Sequence, residues 1–250
     1  QPVSDFISEF SEGDKSKITI RHLLTMSSGL SWEEAYASLF STTTQAYYGK
    51  FLRKLVLDQQ VIAEPGVEFK YLSGDSQILS LIVAEATGKT VSEYMSEKIW
   101  SRVGAEHSAL WSLDKEDGIE KAYCCFNSNA RDFARLGRLV LNMGKWNGEQ
   151  IVPEGYLLET LQPTTYLADK ELGGIPTERY GHQWWFTNHR DHKVIFARGI
   201  LGQYIFIIPD LDLVVVRLGH LRADERIGGQ PIDIFKYLDI AMDINDAVEH

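Results

Sequence analysis

The stretch Phe69-Lys-Tyr-Leu-Ser-Gly-Asp75, continuing through Ser76-Gln-Ile-Leu-Ser-Leu-Ile-Val-Ala-Glu-Ala-Thr-Gly88, sets the pattern of the chain. Ile78, Leu79, Ile82, Val83 and Ala86 recur at helical spacing, which predicts a helix from about Ser76 to Thr87. Ser73 or Asp75 is the expected cap at its start, and Gly88 the expected stop. Upstream, Pro65-Gly66 breaks the chain and Glu68–Tyr71 reads as a short extended piece. Tyr71 therefore lies where a phenol can project across a helix terminus. A phenol titrates near 10, so it is a poor base unless cations lower it, and packing is the ordinary role of a tyrosine.

Further upstream, Thr19 to Gly29 reads as a short helix with Thr19 as cap and Gly29 as the left-handed residue past its end. Gln45–Leu57 carries apolar residues at 47, 48, 51, 52, 55 and 56, a helical face. Downstream, a helix is expected from Ser92 to about Ser101. Another runs from Ala130 to Met143, opened by Asn129 and ended by Gly144. Trp146-Asn147-Gly148 signals a turn, and Pro153 suits the first turn of a further helix. Past Arg179 the texture changes. Tyr180–Phe186, Lys193–Ala197, Gln203–Ile208 and Leu213–Leu218 are rich in β-branched and aromatic residues separated by short turns, the mark of antiparallel hairpins. Pro231 to about Ile244 closes as a helix with Ile232, Phe235, Leu238 and Met242 roughly on one face. The expected class is α+β. The division is a mainly helical lobe over about 18–160, then a sheet and closing helix over about 180–250, within one domain spanning 1–250.

A net charge of −10 argues against nucleic acid as a partner, because phosphate binding needs clustered Lys and Arg. The apolar runs Ile205–Ile208 and Leu211–Val216 are far too short to span a bilayer. No signal peptide is visible, so any targeting segment is expected outside this sequence. Cys124 and Cys125 are neighbours and cannot staple distant segments. Two thiols in a partly buried strand is the expectation. His189 and His192 read as a surface hairpin tip without the further ligands a zinc site needs, so neither metal nor cofactor is expected. One Ser-x-x-Lys string occurs, Ser112-Leu-Asp-Lys115. A serine one turn from a lysine can be activated by the amine. Here Asp114, Glu116 and Asp117 favour the charged lysine, so the string reads as a solvated loop.

Several blocks together resemble the class C β-lactamase family, which includes penicillin-binding proteins, carboxylesterases and 6-aminohexanoate-dimer hydrolases. In family order they are Ile18–Leu30, Pro65-Gly66, Phe69-x-Tyr71-x-Ser73-Gly74-Asp75 and Ala86-Thr-Gly-Lys89. Trp100–Glu106, Ala130–Gly137 and Gly144–Gly148 follow, then Ala197-Arg-Gly199 through Gly202-Gln203-Tyr204 to Pro209 and Leu213–Arg217. Gly181-His-Gln-Trp-Trp185 and Gly202-Gln203 tilt the resemblance towards the esterase and dimer-hydrolase side.

The resemblance implies a β-lactamase-like fold whose N-terminal part is missing here. It also implies hydrolysis of a small-molecule ester or amide through an acyl-enzyme. Tyr71 matches the tyrosine of the Tyr-x-Asn motif, a general base or proton shuttle, and Ser73 stands in the Asn position with shorter reach. Ala197-Arg198-Gly199 matches the third motif, with Ala197 replacing its cation or imidazole. The Ile200 N–H is the expected oxyanion donor. The family's nucleophile helix, with its Ser-x-x-Lys, precedes Ile18–Leu30 and is not in this chain. The expectations are accordingly a hydrolase inactive as this chain alone or, from another class, a non-catalytic relative that keeps the cleft. Self-association or pairing with the missing segment would cover the apolar surface such a gap exposes. By family the protein would be periplasmic or exported.

Overall fold

The computed structural model describes residues 1–249. It divides into two compact units built from interleaved segments. The first is 1–102, 108–128 and 164–177; the second is 103–107, 129–163 and the described residues from 178 onward.

The first unit carries α1 (Ile20–Leu24), α2 (Thr42–Tyr48), α3 (Leu52–Leu57), α4 (Ser73–Thr87) and α5 (Val91–Met95), which runs into a π-helical turn at Ser96–Trp100. Two-residue strand pieces Glu68–Phe69, Ala168–Asp169 and Ile175–Pro176 pair beside them. Its core gathers Phe10, Leu23, Trp32, Leu52, Val56, Leu72, Ile78 and Leu81, all but removed from water. Burying side chains of this kind is worth about 1.5–3 kcal/mol each before entropy is counted. Thr19 caps α1 as expected, in a reciprocal box with His22. The helix stops at Leu24, however, and Gly29 lies well beyond it.

The helix expected over Gln45–Leu57 is instead two helices, broken at Gly49-Lys50-Phe51. Its apolar spacing runs on, but a remote carboxylate supplies a competing start. Asp114 Oδ2 accepts the Leu52 N–H at 3.1 Å while its Oδ1 accepts Ile119 N–H at 3.0 Å. Neutralising an orphan first-turn N–H in this way starts α3 where local sequence shows no cap.

In the second unit α6 (Ala130–Leu141), α7 (Glu154–Thr160) and α8 (Ile232–Glu249) accompany a four-stranded antiparallel sheet. Its order is Leu213–Arg217, Tyr204–Ile208, His192–Arg198, Trp185–His189. Asn129 caps α6 through its side chain, which accepts the Asp132 N–H at 3.0 Å. Asn147 and Gly148 take φ of 49° and 84° between two short strands, the turn that Asn-Gly favours. The strand expected over Tyr180–Phe186 begins only at Trp185. Tyr180 folds back, making a single bridge to Trp185 and stacking edge-on against it with ring centroids 4.8 Å apart. Ile234, Leu238 and Met242 form the buried stripe of α8. His189, at the hairpin tip, bonds Asp239 of α8 at 2.8 Å.

The expectation of two free thiols in a strand is overturned. Cys124 and Cys125 are joined to each other in a turn that precedes the short Phe126–Asn127 strand. Cys125 holds φ of +67°, a conformation that sequence spacing does not announce.

Among the described residues no helix is long and apolar enough to cross a membrane. Nor do three His, Cys, Asp or Glu side chains gather as a metal site.

Candidate active site

Tyr71 and Ser73 lie in the first unit, at the junction where the Glu68–Phe69 piece becomes α4. The junction is held backbone by backbone. Lys70 N–H donates to Met26 O at 2.9 Å, and Leu72 N–H to Met26 Sδ at 3.4 Å. Ser73 N–H donates to Glu34 Oε1. Neither Ser73 nor Asp75 caps α4. Leu72 is the residue before the helix and has no capping side chain, so Glu34, 39 residues upstream, takes that part. An anion at a helix start also meets the positive end of the helix dipole favourably.

Glu34 is fixed in turn through Thr43, whose hydroxyl lies 3.2 Å from its Oε2 and accepts the Trp32 indole N–H at 2.9 Å. Tyr36 completes the group. Its phenol is held above its ordinary value, first by burial and then by Glu34, and it also interacts with Tyr71 and the Ser73 hydroxyl. Thus four side chains converge here: Glu34, Tyr36, Tyr71 and Ser73. Tyr71 and Ser73 belong to the motif that the sequence singles out. Glu34 and Tyr36 carry no motif, and the only available signal was their nearness to the Ile18–Leu30 block.

Two features mark the first turn of α4, just past Tyr71. Trp32 is buried and lies against Gly74, where a Cβ would approach its ring carbon to 2.6 Å. Gly74→Ala is therefore expected to push the Trp32 ring or the first turn of α4 aside. The cost should be about 1–3 kcal/mol, read as a lower urea midpoint with unchanged slope. Asp75 is wholly buried, with Oδ1 accepting the Ser28 hydroxyl at 2.6 Å and Oδ2 lacking any hydrogen-bond partner among the described residues. Burial drives its carboxyl well above the usual range. The bonds to Ser28 oppose that, Glu34 adds to it, and Lys70 reduces it. The protonated acid avoids the larger penalty of an ion in an apolar interior.

Ala197, Arg198, Gly199 and Ile200 lie in the second unit, where the His192–Arg198 strand turns back into Tyr204–Ile208. Gly199 N–H donates to Gln203 O at 2.7 Å, and Leu201 N–H to the Gln203 side chain at 3.1 Å. The same Gln203 amide donates to Gly219 O at 2.6 Å. A Cβ at position 199 would fall 2.4 Å from Gln203 Oε1, so any larger residue there displaces the Gln203 side chain. Ala197 pairs with Ile205 across the ladder. The Arg198 guanidinium stacks 3.4 Å from the Trp185 ring centroid and donates to Gln230 Oε1 at 2.7 Å. Both contacts are structural, worth together a few kcal/mol at most. Ile200 is 43% exposed on this turn.

The Ser112-Leu-Asp-Lys115 string holds Ser112 and Lys115 exposed, on either side of the Asp114 carboxylate that starts α3. The buried member of the string is thus Asp114, with a role in folding.

A helical unit with a tyrosine at the head of α4, and a four-stranded antiparallel sheet with a glycine turn, define a β-lactamase-like fold. The sequence model of the Beta-lactamase family matches residues 1–228, and the chain belongs to that family. Among curated proteins, the 6-aminohexanoate-dimer hydrolase of Paenarthrobacter ureafaciens is 31% identical over 154 residues, covering 60% of this chain and 39% of the relative. Among solved structures, the "Putative 6-aminohexanoate-dimer hydrolase from Bacillus anthracis" superposes with a TM-score of 0.80 at 26% identity, over 100% of this chain and 66% of that one. The octameric penicillin-binding protein homologue from Pyrococcus abyssi shares the fold, with a TM-score of 0.66 at 21% identity, over 98% of this chain and 59% of that one. The chain thus spans well under two thirds of the length of the curated relative it matches.

Proposed function

We propose that the protein is a serine hydrolase that cleaves a small-molecule ester or amide through an acyl-enzyme, with Tyr71 moving the proton. The observation that carries this reading is the anchoring of Tyr71. The residues on either side of it are tied to Met26, Ser73 to Glu34, and Gly74 accommodates Trp32, so the junction bearing the phenol has little freedom. Preorganisation of this kind is what proton transfer in a transition state requires.

In the proposed reaction a serine, paired with a lysine in a segment outside residues 1–250, attacks the carbonyl carbon. Tyr71 and the lysine take the hydroxyl proton and return it to the leaving alcohol or amine. The Ile200 N–H stabilises the oxyanion, and water then releases the acyl group by the same route. Ser73, whose hydroxyl bonds the Tyr36 phenol, completes the polar group beside Tyr71. Because Ala197 replaces a cation or imidazole, the proposal assigns no recognition of a substrate carboxylate to that position. Likeness to 6-aminohexanoate-dimer hydrolases supports a linear amide as the first substrate to try, with short-chain esters beside it. On this proposal residues 1–250 alone are inert. The test is turnover of these substrates by the full-length protein and by its Tyr71→Phe variant. Absence of turnover by the unaltered full-length protein would favour the non-catalytic relative instead.

A further inference from the structure

Cys124 and Cys125 are the two cysteines of the chain, and they are bonded to each other. A bridge between neighbours closes no long loop, so it adds little of the loop-entropy stabilisation that disulfides ordinarily supply. What it does is fix the local backbone. Cys125 sits at φ of +67°, which non-glycine residues seldom adopt, and the bridge holds it there.

The turn so fixed is bound tightly to its surroundings. Ser112 N–H and the Asn127 side chain donate to Cys125 O, at 3.1 and 2.8 Å, while the Trp111 indole N–H donates to Cys124 O at 3.0 Å. The turn also grips α4. Ala122 N–H donates to Gln77 Oε1 and Gln77 Nε2 to Glu120 O, both at 2.9 Å, with Gln77 fully buried. Next to the pair, the Tyr123 ring packs on Trp32 with centroids 6.4 Å apart, and Trp32 lies against Gly74. A continuous packed path therefore runs from the cysteine pair to the first turn of α4. Both residues of the pair are half-buried rather than sealed in the core.

We propose that Cys124–Cys125 is a redox site open to small dithiols, whose oxidised form clamps the Glu120–Cys125 turn onto α4 and whose reduction releases it. A thiolate of the dithiol attacks one cysteine sulfur, and the S–S bond breaks with its electron pair on the other sulfur, which takes a proton. The second thiol of the reductant then displaces the first cysteine as a thiol. Two electrons and two protons pass to the protein, and the reductant leaves as its cyclic disulfide. Freed of the bridge, Cys125 relaxes towards negative φ, and the bonds to Gln77 loosen. An effect on hydrolysis rests on the Tyr71 reading above; the release of the turn does not.

The experiment uses dithiothreitol as the reductant. In air-oxidised protein treated with iodoacetamide under native conditions the peptide holding Cys124 and Cys125 should keep its mass, and after dithiothreitol treatment it should gain two carbamidomethyl groups. In hydrogen exchange, reduction should speed the Ala122 and Ser112 amides about tenfold or more. Amides of α8 in the second unit should not change. The Cys125→Ser variant, checked as folded by circular dichroism, should exchange as the reduced protein does. Two reactive thiols in protein already treated with an oxidant would overturn the proposal, and so would unchanged Ala122 exchange after full reduction. These readouts need no turnover. Their failure would leave the assignment of Tyr71 standing, and failure of the Tyr71→Phe test would leave the redox site standing.

Discussion

Replacing Tyr71 by phenylalanine in the full-length protein should lower kcat by about 10²- to 10⁴-fold, the range that a positioned general acid–base supplies. That corresponds to about 3–5 kcal/mol of transition-state stabilisation. KM should change little, because the ring is retained and the neighbours of residue 71 are held by backbone bonds to Met26 that do not involve the phenol. Stability should likewise stay close to that of the unaltered protein. A loss shared equally by kcat and kcat/KM would show that the hydroxyl acts in the transition state. A loss confined to KM would instead make Tyr71 a binding residue.

The second large effect is thermodynamic. Because the Asp75 carboxyl is raised above its usual range in the folded protein, it keeps its proton at pH values where the unfolded chain has released it. Above about pH 4, the native state therefore binds more protons than the unfolded state, and stability falls as pH rises until the native carboxyl itself ionises. The slope from this one group can reach about 1.4 kcal/mol per pH unit. Asp75→Asn removes the titration while retaining an oxygen to accept from Ser28. The variant should gain on the unaltered protein as pH rises above about 4.5 in urea unfolding, until the native carboxyl itself ionises. Parallel stability profiles would show that burial does not hold the proton on Asp75.

These expectations concern residues that the sequence exposes unequally. The helix ending at Thr87, the Asn129 cap, the Asn147-Gly148 turn and the last three sheet strands are legible, because each depends on residues within a few positions of one another, although of the expected stripe only Ile78 and Ile82 are buried and Ala86 is exposed. The blocks that carry the family resemblance, including Tyr71 and Ser73, are legible too. What was not legible depends on partners brought in by folding. Glu34 caps α4 from 39 residues away, and Asp114 starts α3 from 62 residues away, so neither cap follows the local pattern. The cysteine pair was misread for a related reason. The two residues are bonded with Cys125 at φ of +67°, a local turn that no residue spacing announces. The burial of Asp75 was equally hidden, since a polar residue in a Ser-Gly-Asp run ordinarily reads as a solvated cap.

The most direct measurement is intact mass and peptide mapping after exposure to a serine-reactive acylating probe, on the full-length protein and on residues 1–250 alone. The account predicts one adduct on the full-length protein, on a serine outside residues 1–250 that lies one helical turn before a lysine, with labelling slowed by Tyr71→Phe. The shorter chain should keep its mass. An adduct on Ser112, or a full-length protein that takes no label at all, would contradict the account.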